Sequence, residues 1–167
     1  MMKTKPNIHT ISFLVANKPG VLVRIALVFA RRGYNIDSLV VSPSADQKYS
    51  RMTITAEGDP GTLEQIIKQT SKLIDVLHVG EHTSFDAIHR ELALFKVKAA
   101  STSKPAIAKL IQKYHAAIIE ENTKALIIEQ IGTTDSVDQL EAALKKQGIV
   151  ELVRSGKLVM AKGLEET

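Results

Sequence analysis

Asn17-Lys18-Pro19-Gly20-Val21-Leu22 is the stretch from which the fold can be read. On its N-terminal side Ile11, Phe13 and Val15 alternate with a period of two, the mark of a half-buried strand over residues 10–16. On its C-terminal side Leu22, Ile25, Ala26 and Phe29 recur at helical spacing. A strand therefore hands over to a helix across this bend. Pro19 suits a first helical position, where a missing N–H costs nothing. Gly20 has no Cβ and lets a ligand approach the backbone. A helix start leaves N–H groups without intrahelical partners, and its dipole favours an anion, so a small carboxylate fits there. Asn17 adds a side chain that both donates and accepts. The same residue types also build an ordinary strand-to-helix turn, and the hexapeptide alone does not separate the two readings.

Outward from the bend the chain divides into alternating patterns. The first helix is expected over residues 20–32, with Arg31 and Arg32 in its last turn and Gly33 as its C′ stop. A strand follows at 35–41, a polar turn at 43–48, and a strand at 49–57 with Met52, Ile54 and Ala56 on one face. Asp59 as N-cap and Pro60 at the first position open a second helix to about residue 73, and 76–79 is a fourth strand. The order β-α-β-β-α-β then recurs. A strand at 91–99, a helix at 104–114, a hairpin turning at 121–124, a helix capped at Thr134-Asp135 and a strand at 149–153 complete it, with 157–161 expected to pair beside the last strand.

The fold class is α+β: two tandem ferredoxin-like βαββαβ domains, at 1–80 and 90–167, with 81–89 as the linker. Right-handed crossovers place both helices of each domain on one sheet face. The opposite face, to which Ser12, Leu14, Leu39, Val41 and Thr53 are assigned, is too apolar to be left to water. It is expected to be covered by another domain or another chain.

Composition narrows the function. The absence of cysteine rules out disulfides, thiolate nucleophiles and Cys-based metal sites. No apolar run is long enough to span a bilayer and no signal-peptide core is present, so a cytoplasmic location with no membrane partner is expected. The net charge of +4 comes from scattered Lys and Arg, with few aromatics and no helix-turn-helix or zinc-finger spacing, so no nucleic-acid partner is expected. Catalytic motifs are lacking: no Walker A loop, no nucleophile elbow, no H-E-x-x-H. His78 and His82 read as surface histidines around Gly80, His9 and His115 have no visible acid partner, and Glu120-Glu121 reads as a solvated turn flank. No catalytic residue and no metal ligand is assigned. Binding is better supported. Asn35 offers a polar contact and Ile36 an apolar wall, expected near the same end of the sheet as the bend or at its edge, which suits an aliphatic amino acid, although Asn35 reads equally well as a turn residue after Gly33.

These residues carry a resemblance. His9-Thr10-Ile11-Ser12, Asn17-Lys18-Pro19-Gly20-Val21-Leu22, Arg31-Arg32-Gly33-Tyr34-Asn35-Ile36-Asp37-Ser38-Leu39, Ser50-Arg51-Met52-Thr53-Ile54, Lys72-Leu73-Ile74-Asp75-Val76-Leu77, Arg90-Glu91-Leu92-Ala93-Leu94 and Glu151-Leu152-Val153-Arg154-Ser155-Gly156 resemble the small, regulatory subunits of acetolactate synthase (acetohydroxyacid synthase), which begin with an ACT domain. The resemblance implies a non-catalytic subunit with no cofactor of its own. It implies a homodimer through ACT domains, partnered by a large catalytic subunit carrying thiamine diphosphate, Mg2+ and FAD. Such subunits raise activity and confer feedback inhibition, usually by valine, in the synthesis of valine, leucine and isoleucine. The effector residues so implied are Asn17, Lys18, Pro19, Gly20, Val21 and Leu22, completed by Asn35 and Ile36 of the neighbouring protomer. Tyr114-His115 departs from the pattern, where the family usually has an Arg before the following strand. Two other readings are a different ACT-type sensor, such as a transcriptional regulator, and a small enzyme of the acylphosphatase kind. The first needs a DNA-reading helix pair and the second an Arg in the bend, where only Lys18 stands.

Overall fold

The structure, a computed structural model, describes residues 7–99 and 104–167. In chain order it comprises β1 (Ile8–Ala16), α1 (Val21–Arg31), β2 (Ser38–Pro43), β3 (Tyr49–Glu57), α2 (Pro60–Thr70), β4 (Val76–Glu81), β5 (Ala87–Lys98), α3 (Lys104–Tyr114), β6 (Ala117–Glu121), β7 (Ala125–Gly132), α4 (Thr134–Lys145), β8 (Ile149–Arg154) and β9 (Leu158–Ala161). The β-α-β-β-α-β order appears twice, in an α+β fold. One sheet runs β2-β3-β1-β4 and the other β6-β7-β5-β8, with β9 joined to β5.

The chain forms two compact units. The described residues up to Ile88 group with Lys157–Thr167, and His89–Gly156 makes the second. The boundary between the units, Ile88 to His89, lies within the expected linker 81–89, where β4 also ends and β5 begins. Between them Asp86 holds a turn, accepting from the Thr83 N–H at 2.7 Å. The C-terminal stretch departs from expectation, since β9 pairs with β5 rather than with β8. Gly156, at φ +83°, turns the chain after β8. Ser155 N–H then bonds Leu92 O at 2.9 Å and Lys162 N–H bonds Asp86 O at 2.9 Å, so the chain returns along β5.

In the first unit both helices lie on one sheet face. Ile11, Phe13, Val15, Met52 and Ile54 pack with Val21, Ile25, Phe29, Leu63 and Ile66. Burying one such side chain contributes about 1.5–3 kcal/mol relative to leaving it in water. α1 ends as expected. Gly33 adopts φ +73°, and Gly33 N–H to Ala30 O with Tyr34 N–H to Phe29 O close a Schellman motif. Asp59 caps α2 by accepting from Thr62 N–H at 2.9 Å. In the second unit Ala93, Phe95, Val97, Leu126 and Ile128 pack with Ile107, Val137, Leu140 and Leu144.

Part of the opposite face of the first sheet is met by the C-terminal stretch of the same unit. Lys157 Nζ reaches Thr10 Oγ1 at 3.4 Å, Arg51 donates to the carbonyl of Thr167, and Lys162 Nζ donates to the carbonyls of Ser84 and Phe85 at 2.9 and 3.0 Å. Thr10, Ser12 and Thr55 are buried on this face. Leu39 and Val41 do not belong to that face. They stand opposite Ile54 and Met52, which share the helix-bearing side with Ile11 and Phe13. They are exposed because β2 is the edge strand.

Candidate functional site

The bend after β1 is fastened from both sides. Ala16 N–H donates to Asp75 O and Asn17 N–H to Lys48 O, both at 2.8 Å. The Asn17 side-chain amide donates to Gln47 O at 3.0 Å. These bonds tie the bend to the β2–β3 turn and to the approach to β4. Residues 17–20 are all exposed, Val21 is buried and Leu22 half-buried.

Helix α1 begins one residue later than its sequence pattern suggests, and Pro19 precedes it in the turn rather than occupying its first position. The reason is Gly20, which caps the helix in the left-handed region at φ +84° and ψ −11°. No side chain caps this terminus. The first bond along the helix is Arg24 N–H to Gly20 O at 3.1 Å. Among the described residues the N–H groups of Gly20, Val21, Leu22 and Val23 have no acceptor. They form a short row of donors at a positive dipole end, suited to a carboxylate.

One charged pair borders the row. Arg24 Nη2 is ion-paired with Asp75 Oδ2, and Arg24 Nη1 lies 3.3 Å from the point where a Cβ on Gly20 would stand. Sequence reading had not singled out either residue. Arg24 is separated from Asp75 by 51 positions, so no local pattern could have joined them.

Asn35 and Ile36 are at the other end of the same sheet, not beside the bend. Asp37 N–H bonds Thr55 O, Thr55 pairs with Thr10, and the bend follows Ala16. Six strand residues separate the two ends, about 20 Å. Asn35 is exposed and its amide donates to Asp37 Oδ1 at 3.3 Å. Ile36 is half-buried against the first core. Their neighbour Tyr34 donates to Asp59 O at 2.5 Å. Burial first, then its bond to Asp59, raises the Tyr34 hydroxyl above its ordinary pKa. The Thr62 N–H holds the Asp59 carboxyl below its own.

His78 is exposed as expected, but two other histidines depart from expectation. His9 has an acid partner: its Nδ1 stands 2.6 Å from Glu81 Oε1, and its Nε2 lies 3.1 Å from Gly58 O. His82 is not a surface histidine, for its side chain is only 10% exposed. Its Nε2 lies 2.7 Å from Ser12 Oγ and its Nδ1 2.9 Å from Asp86 Oδ2. The order Ser-His-Asp is that of a hydrolase triad, but Ser12 lies buried mid-strand, so the array reads as a clasp. Glu120 and Glu121 are exposed as expected, Glu121 pairing with Lys104 at 2.6 Å. Among the described residues no group of three or more His, Cys, Asp or Glu is placed to hold a metal, and no helix is long and apolar enough to cross a membrane.

Comparison with known proteins bears on both units. Residues 11–78 match the AHAS small subunit-like ACT domain, and residues 90–163 match the family described as small subunit of acetolactate synthase. The chain is 43% identical over 155 residues to the probable acetolactate synthase small subunit of Archaeoglobus fulgidus, covering 93% of this chain and 97% of that one. It is 39% identical over 155 residues to the acetolactate synthase small subunit of Mycolicibacterium smegmatis, covering 93% and 91%. The crystal structure of the acetolactate synthase small subunit from Thermotoga maritima superposes with a TM-score of 0.83 at 35% identity, over 94% of this chain and 98% of that one.

Proposed function

The chain belongs to the acetolactate synthase small-subunit family, and from that premise we propose that it is the regulatory subunit of a two-component acetolactate synthase. It has no active site of its own. It raises the activity of a large catalytic subunit in the cytoplasm and makes it sensitive to a branched-chain amino acid such as valine. Thiamine diphosphate, Mg2+ and FAD are assigned to the catalytic partner, which joins two 2-oxo acids there.

The observation that carries the effector site is the row of unpaired N–H groups at Gly20–Leu22 beside Asn17, exposed at the end of β1. The site is shared between two copies, and topology supports this. β2 is an edge strand, and it offers Leu39 and Val41 to solvent while α1 offers Val23 and Leu27. A two-fold axis beside β2 pairs it antiparallel with its copy. The start of the partner's β2 then meets the end of this one, where the bend is tied to Lys48 and Gln47. The partner subunit's Asn35 and the partner subunit's Ile36 thereby reach residues 17–22, which their own chain keeps at a distance. A ligand in that seam favours one arrangement of two chains over another, a physical route to feedback. The second unit, His89–Gly156, is assigned to contact with the catalytic subunit.

The test is reconstitution. The purified chain alone forms no acetolactate. Added to the purified large subunit it raises the rate, and valine then lowers it. Turnover by the chain alone, or a rate indifferent to its addition, contradicts the proposal.

A further inference from the structure

The effector site proposed above contains a side chain that neither the bend nor the resemblance names. Arg24 sits one helical turn after Gly20, and its guanidinium has two ends with different surroundings. Nη2 is held by Asp75 Oδ2. Nη1 lies against Gly20, 3.3 Å from where a Cβ would be. Gly20 therefore serves two purposes: it supplies the left-handed turn, and it leaves room for the Arg24 guanidinium beside it.

Asp75 is well placed to orient that guanidinium. Its side chain is 13% exposed against 47% for Arg24, and its own carbonyl fastens Ala16 at the root of the bend. The anchored partner is the carboxylate and the outward one is the cation. A pair so exposed on one side adds little to stability. Charge points the same way. Lys18 and Arg24 against Asp75 leave an excess of one positive charge around the bend.

Resting on the proposed effector site, we infer that Arg24 binds the α-carboxylate of the amino acid through Nη1, with Asp75 as its positioning residue through Nη2. The N–H row and the guanidinium grip one carboxylate from two sides. This explains how a surface bend discriminates an amino acid from a neutral analogue of the same shape, since charge-assisted bonds are the stronger class.

The experiment compares two probes on the purified full-length chain by calorimetry: a branched-chain amino acid (valine, leucine and isoleucine tried in turn) and the amide of the one that binds, which lacks the carboxylate charge. The native chain binds the acid more tightly than the amide. Arg24→Gln weakens the acid by about tenfold to a hundredfold, as expected for a hydrogen bond to a charged group, and leaves the amide nearly unchanged, so discrimination collapses. Arg24→Lys restores part of it by keeping the charge without the fork. Asp75→Asn lowers discrimination less than Arg24→Gln does. Unchanged acid-to-amide discrimination in both Arg24 variants overturns the inference while leaving the site in place. Failure of all three amino acids to bind the native chain overturns the site and the inference together.

Discussion

Asn17 is positioned by its own hydrogen bond. Its amide nitrogen is committed to Gln47 O, and its oxygen has no partner among the described residues. Asn17→Ala removes one exposed bond, with a net cost of about 0.5–1.5 kcal/mol, and removes the oxygen at the bend. The expected result is a chain that melts within a few degrees of the native one while its affinity for the amino acid, by calorimetry, falls about tenfold or more. Undiminished affinity assigns the effector elsewhere. The bend at residues 17–20 was legible in the sequence because its chemistry is local, a strand end followed by Asn, Pro and Gly. His9 and His82 were not, because Glu81 and Ser12 lie 72 and 70 positions from them. Acid stability belongs to the same scale. Bonds from Thr83 hold the Asp86 carboxyl well below the usual carboxylate range, and a bond from the Thr62 N–H lowers Asp59 from its ordinary value. A depressed carboxyl stabilises the fold above its unfolded pKa, about 4, and that contribution is lost as pH falls through the lower folded value. Asp86→Asn is therefore expected to flatten the acid limb of a melting-temperature profile, and an unchanged slope contradicts the assignment.

Among the elements, the edge strand β2 matters most. Helices and strands were readable from periodicity because apolar side chains repeat at 3.6 or 2 wherever one face is buried. What periodicity does not carry is register. Leu39 and Val41 alternate correctly, but only pairing with Ile54 and Met52 tells which face they occupy. Likewise nothing local told that residues 158–161 would choose β5 over β8 as a partner. Pro19 misled because a left-handed Gly20 stands between it and the helix. If β2 pairs with its copy, Val41→Lys, at an exposed position, places two like charges in a symmetric apolar seam. The expected outcome is a folded monomer by light scattering, its circular dichroism unchanged, with effector binding lost. A dimer that survives the charge places the interface elsewhere.

For the whole molecule, a duplicated order of elements does not mean a duplicated role. The second unit repeats the topology, but its sequence at 99–104, between β5 and α3, lacks the Asn-Lys-Pro-Gly of the first bend. The C-terminal segment returns to part of the first sheet's open face, at Thr10 and Arg51. The edge strand β2 stays open, and the 20 Å between Asn17 and Asn35 in one chain becomes the argument for two. A mixing experiment tests this most directly. Asn17→Ala and Asn35→Ala chains are purified apart, each expected to bind the amino acid poorly, then mixed under conditions that exchange subunits, and titrated by calorimetry. A shared site predicts that the mixture regains native affinity in about a quarter of its sites, because each mixed dimer rebuilds one seam and ruins the other. A mixture that binds no better than its two components contradicts the account.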